Sequence, residues 1–182
     1  RRAHNPKVVG SNPAPATISL AARPVWKPVF FDEQIENGGN KMPLPVIAAI
    51  IVKKEQILLC QRKEGALAGK WEFPGGKLED GETPEECLVR EIREELDLEI
   101  RVNQIYKAVH THYDHGDFLI VGYLAEPLSG KIKLRVHADY AWVDYHRLIE
   151  YDLAEANIPI AASLKKEPQS PWSRMRADSR AD

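Results

Sequence analysis

Polar and apolar residues fall into a readable order only after the first forty positions. From Pro45 the run "VIAAIIV" is followed by "KKEQ" and then "ILLCQR", the pattern of two buried strands joined by a tight polar turn. Residues 64–82, "EGALAGKWEFPGGKLEDGE", are rich in Gly and Pro and predict a loop containing one short extended piece. Residues 83–96 then take up the helical period, with Leu88, Val89, Ile92 and Leu96 within an arc of about 100° that faces the core. The start of this helix is well specified. Thr83 suits the N-cap, Pro84 sits where its missing N–H costs nothing, and Glu86 completes a capping box. Glu85 and Glu86 also favour the positive end of the helix dipole, so structure alone explains them. Strand-like stretches follow near 100–110, 118–125 and 141–144, and a last helix is expected over 158–166.

Strands before, between and after two helices predict an α+β fold, an α/β/α sandwich with helices on both faces of a mixed β-sheet. Residues 42–166 are expected to form a single domain. Residues 1–41 read as an N-terminal extension without regular structure, and 167–182 as a flexible tail. Met42 directly precedes the first strand, and "HNPKVVGSNPAPAT" resembles peptide translated from an upstream non-coding region. Met42 is therefore the expected natural start, which detection of an endogenous peptide from residues 1–40 by mass spectrometry would refute.

Composition narrows the partners. The 182 residues carry a net charge of −2, which gives no electrostatic reason to bind nucleic acid polymers. The longest apolar run, Leu44 to Val52, is too short to span a bilayer. The two cysteines, Cys60 and Cys87, lie among apolar neighbours without metal-site spacing, the usage of buried thiols in a reducing cytoplasm. The spacings of "PGGKLEDG" match no dinucleotide or P-loop motif. In "HTHYDHGD", His110 and His112 share a strand face, but zinc needs further ligands and a supporting shell. A hairpin with exposed histidines, turning at Gly116, is expected instead.

The helix contains a feature that its own stability does not explain. Glu91, Glu94 and Glu95 occupy one arc, and like charges at these spacings cost an isolated helix roughly 0.2–0.5 kcal/mol per pair. A solvated helix face would account for them, although such faces normally alternate in sign. The alternative is a hard divalent cation. Three carboxylates, a backbone carbonyl freed by Gly75 and Gly76, and waters would form an octahedral oxygen site. The ion would offset the repulsion, polarise a phosphoryl oxygen and help generate a hydroxide nucleophile.

Residues 76–98, "GKLEDGETPEECLVREIREELDL", resemble the signature box of the Nudix hydrolases. Gly76, Glu82, Arg90, Glu91, Ile92, Glu94, Glu95 and Leu98 fall in register, and Asp97 stands where the pattern has Gly. Asp tolerates a left-handed conformation better than most residues, so this departure is expected to be harmless. "KWEFPGGK" and "AWVDYHRL…YDLAEANIPI" are similar to the MutT branch, which clears oxidised nucleotides from the precursor pool.

The resemblance implies a Mg²⁺-dependent pyrophosphohydrolase, with Mn²⁺ as a possible substitute. It would convert a nucleoside triphosphate, 8-oxo-dGTP by preference, into monophosphate and pyrophosphate, acting as a monomer on a small molecule. Glu91, Glu94 and Glu95 would ligate metal or assist the attacking water, with the Gly75 or Gly76 carbonyl as a further ligand. Arg90 and Glu82 would orient loop and helix. Asn157 would either hydrogen-bond an oxidised guanine or cap the last helix. Phe73 would line the base pocket or join the core, and Arg62 would meet phosphate or sit solvated at a strand end. Many relatives have a Glu before the residue matching His137, where this chain has Val136; Asp139 is a conceivable substitute. The remaining alternatives are a pyrophosphatase for (d)CTP or another nucleotide, a non-catalytic nucleotide- or ADP-ribose-binding module, and a hydrolase of nucleotide sugars or dinucleotides.

Overall fold

The computed structural model describes residues 36–37, 40–41, 43–113, 116–171 and 173. Two short strands, β1 (Glu36–Asn37) and β2 (Asn40–Lys41), pair antiparallel. Regular pairing therefore begins inside the stretch read as unstructured. The rest of that stretch, including the expectations on its first residues, lies outside the described residues.

The main sheet is built from β3 (Leu44–Lys53), β4 (Gln56–Arg62), β5 (Trp71–Glu72), β6 (Gly75–Lys77), β7 (Glu99–Tyr113), β8 (Gly116–Ser129) and β9 (His137–Asp144). Its path runs β5-β4-β3-β8-β7, with β6 added to β3 and β9 to β4. β3 and β8 are parallel, whereas the other pairs are antiparallel, so the sheet is mixed as expected. Lys54 takes φ +57° in the two-residue turn between β3 and β4. β7 and β8 form the long hairpin foreseen around Gly116. Asp117 there pairs with His112 at 2.7 Å and approaches His110 at 3.6 Å, and both histidines are exposed. His115 lies outside the described residues.

Strand period two sorts the core into two layers. Ala48, Ile50 and Val52 of β3, with Ile57 and Leu59 of β4, pack toward α2 (Ile158–Leu164). Ile47, Ala49, Ile51, Leu58 and Cys60 pack on the opposite face against Leu88, Ile92 and Leu96 of α1 (Pro84–Leu96). One helix therefore covers each face, which is the sandwich the pattern predicts. Both cysteines are buried. Desolvation raises the Cys60 thiol far above its ordinary range and pushes Cys87 up to about 12, so neither ionises at neutral pH.

The tail is ordered further than expected. The Tyr106 hydroxyl donates to Glu167 at 2.9 Å, and Ser170 and Pro171 are buried.

Candidate active site

α1 begins as its sequence requires. Thr83 Oγ1 accepts from the Glu86 N–H at 3.2 Å, and Glu86 Oε2 accepts from the Thr83 N–H at 2.9 Å. At the other end Asp97 adopts the left-handed conformation, φ 55° and ψ 33°. Its carboxylate also takes on a task beyond the turn. It receives Lys133 at 2.6 Å and Arg135 at 3.0 Å, while the N–H groups of these residues donate to the carbonyls of Leu96 and Glu95. The segment leading into β9 is thereby strapped across the helix C-terminus, satisfying carbonyls that a helix end leaves open.

This helix lies against the twin glycines of β6. Gly75 pairs with Ala48 at φ +147°, and an added Cβ would strike the Ile47 carbonyl. A Cβ on Gly76 would strike the Glu91 carboxylate. Gly75 must be glycine because of the adjoining strand, whereas a side chain at Gly76 would require the Glu91 carboxylate to shift.

The three acids of the arc have different environments. Glu91 is buried and accepts from Arg90 Nη1 at 2.8 Å. Burial raises its pKa, and the bond from Arg90 offsets part of that rise. The carboxylate of Glu95 is enclosed. Burial first, then the charges of Glu91 and Glu72, hold it well above the usual carboxylate range, although the Gly75 N–H donates to it. Its Oε2 is buried with no hydrogen-bond partner. The Glu94 side chain is 58% exposed, and its nearest cation is Arg90 Nη1 at 3.9 Å.

Arg90 donates from Nε and Nη2 to the two oxygens of Glu82, at 2.8 and 2.9 Å. Glu82 also accepts from the Glu79 N–H at 3.2 Å. The loop is therefore clamped to the helix. The same bonds push Glu82 below the usual carboxylate range and Arg90 above its ordinary value. The expected pairing of Arg90 with Glu94 is secondary to these contacts.

Two predicted positions are corrected. Arg62 is not a solvated strand-end cation: it donates twice from Nη1 to Glu72, at 3.0 and 2.9 Å, because period two carries it to the face of Leu58 and Cys60. Asn157 does not cap α2, which has no side-chain cap. Its Oδ1 accepts from the Phe73 N–H at 3.1 Å, and its residue is buried. The reason is tertiary. Residues 152–154 run beside β5, with the Trp71 N–H donating to Asp152 and the Ala154 N–H to Trp71, and this brings Asn157 against the next residue of that strand segment. Phe73 itself packs in the α2-side core.

Glu72 and His137 carry the site's further polar groups. His137 Nε2 lies 3.3 Å from Glu72 Oε1, and its Nδ1 is buried without a partner. One signal in the chain pointed to Glu72. Trp71 and Phe73 both pack with the α2-side core, so the acid between them must face the other way. His137 had no such signal, because a register shift between Gln61 and Arg62 sets it opposite Arg62. Asp139 pairs with Gln61 and is exposed, with its Oδ1 accepting from the Tyr140 N–H. It does not join the carboxylate group.

The donors fit a hard divalent cation. They are oxygens, one of them a buried oxygen lacking a partner on the carboxylate that accepts from the Gly75 N–H. Among the described residues no three side chains already stand closed around such a position. Glu91 is turned to Arg90 and Glu94 to solvent, so both must reorient to share a ligand.

The NUDIX domain family matches residues 42–164. The CTP pyrophosphohydrolase of Escherichia coli K12 is 36% identical over 119 residues, which are 64% of this chain and 87% of that protein. The 8-oxo-dGTP diphosphatase of Haemophilus influenzae is 34% identical over 124 residues, 66% of this chain and 91% of that protein. Among solved structures, a MutT NUDIX hydrolase from Burkholderia pseudomallei superposes with TM-score 0.58 and 25% identity, covering 71% of this chain and 100% of the other. No described helix is long and apolar enough to cross a membrane.

Proposed function

We propose, from the premise that this chain belongs to the Nudix family in its MutT-like branch and hydrolyses phosphoric anhydride bonds of nucleotides, that its substrate is 8-oxo-dGTP and its cofactor Mg²⁺. The observation that carries this reading is the stripe of Glu91, Glu94 and Glu95 on α1, with Glu91 against Gly76 and the Glu95 Oε2 buried without a partner. Glu91, Glu94, Glu95 and the Gly75 or Gly76 carbonyl would hold the ion. When bound, Mg²⁺ supplies charge neutralisation along the phosphate chain.

The chain's own groups do the remainder. One carboxylate of the stripe accepts a proton from the attacking water as its oxygen bonds to a phosphorus of the α–β bridge. The bridging P–O bond breaks, releasing nucleoside monophosphate and pyrophosphate. Arg90, paired with Glu82, ties the loop to the helix that carries the stripe. Asn157, whose Oδ1 is engaged by Phe73, offers its amide N–H groups to acceptors on the base edge. The buried thiols agree with a reducing cytoplasm as its place of action, where nucleotide-pool sanitation would protect replication.

A second reading, a (d)CTP pyrophosphatase, is favoured by the 36% identity to the Escherichia coli enzyme of that kind. Cytosine also presents acceptors that an amide N–H can meet. A substrate panel with Mg²⁺, followed by pyrophosphate release, separates the two. We expect 8-oxo-dGTP to give the highest kcat/KM and Glu94→Gln to cost at least about a hundredfold in kcat with the fold intact. A tenfold advantage for dCTP, about 1.4 kcal/mol in transition-state binding, would replace the substrate and leave the chemistry standing. Full activity of Glu94→Gln would remove its assigned role.

A further inference from the structure

Glu72 lies outside the acidic stripe, on a two-residue strand, and nothing in its own element requires a charge there. Three observations give it a place. It is half-buried and anchored from two sides, by Arg62 at 2.9 and 3.0 Å and by His137 at 3.3 Å. It pairs with Cys60, on the face of the sheet that packs against α1. Its charge is among those that raise Glu95, so the two carboxylates lie close enough to act on one another. Glu95 in turn has a buried oxygen without a partner.

We propose that Glu72 is a fourth carboxylate of the cation site, held by Arg62 and His137 so that its charge faces Glu95 and strengthens binding of a divalent ion there. This rests on the reading above that the stripe binds such an ion. The anchors explain how four acids can coexist in one partly desolvated region. Arg62 and His137 hold the Glu72 carboxylate in one position. The register shift at Gln61–Arg62 is the backbone device that brings His137 into that contact.

The test is Mn²⁺ binding to the full chain, followed by electron paramagnetic resonance of the free ion, without substrate. Glu72→Gln preserves shape and is expected to weaken Mn²⁺ about tenfold or more, the usual effect of removing a group that supports metal ligands. Asp139→Asn, exposed and out of register with Arg62, should bind as the wild type does. Should Glu72→Gln fail to fold because Arg62 loses its carboxylate partner, the neutral pair Arg62→Met with Glu72→Gln decides, since replacing both partners commonly preserves stability. That double variant is expected to bind at least about threefold more weakly. Wild-type affinity in whichever of the two folds overturns the proposal. Absence of Mn²⁺ binding by the wild type would overturn the cation site itself, an outcome distinct from the loss of Glu72's part in it.

Discussion

At the scale of single residues, the site is a set of groups whose charge the fold disfavours. Glu95 and Glu91 are both raised above the ordinary carboxylate value, chiefly by burial. The folded protein therefore binds more protons than the unfolded chain once pH exceeds that value, roughly 4.3. By linkage, their contribution to stability declines as pH rises from there toward the raised folded values. Glu82 acts in the opposite direction. Arg90 lowers its pKa, so its contribution is present above the ordinary value and is lost as pH falls through the folded one. The expected result is that metal-free Glu95→Gln unfolds at a higher temperature than metal-free wild type at neutral pH. The gain should be on the order of 1–3 kcal/mol, the cost of leaving a buried polar group unmatched, and should shrink toward pH 5. Thermal melts across pH in a chelating buffer check it. Saturating Mg²⁺ should stabilise wild type and reverse the order, because only wild type keeps the full ligand set.

At the scale of elements, α1 is specified locally and loaded functionally. Its capping box was legible in Thr83, Pro84 and Glu86, and every part of it is present. Thr83→Ala is expected to cost about 1 kcal/mol, measured by denaturant unfolding, while Mg²⁺ binding stays near wild type because the arc of acids lies further along the helix. Gly76→Ala should do the reverse. Its Cβ would displace the Glu91 carboxylate, so divalent binding by calorimetry should fall more than stability does. Asp97 shows where element-level reading stops short. Its left-handed turn was foreseen, but its pairing with Lys133 and Arg135 was not, because those residues are more than thirty positions away.

At the scale of the whole molecule, two cores separated by the sheet divide the labour, with the acids on the α1 side and Asn157 joined to Phe73 on the α2 side. The tail beyond α2 is tied to the domain more than its polarity suggests, through Glu167, Ser170 and Pro171. Truncation after Lys166 is therefore expected to lower the melting temperature by several degrees, since each kcal/mol lost shifts a domain of this size by about 2–8 °C. A scan of the truncated and full chains decides it; identical transitions would show the tail to be dispensable.

The chain by itself determined whatever repeats over a few residues. Period two in β3 and β4, the helical arc of α1, its cap and the spacing of Gly76, Glu82, Arg90, Glu91, Glu94 and Glu95 are local patterns, and steric and electrostatic rules act on them within one or two turns. Only the tertiary structure decided which distant groups share a space. It turned Arg62 from a solvated end into the anchor of Glu72, moved Asn157 from a helix cap to the Phe73 N–H, and set His137 beside Glu72 and opposite Arg62 through a register shift. Such contacts join residues ten to more than eighty positions apart. Their formation depends on strand order and pairing register, which no short window of sequence contains.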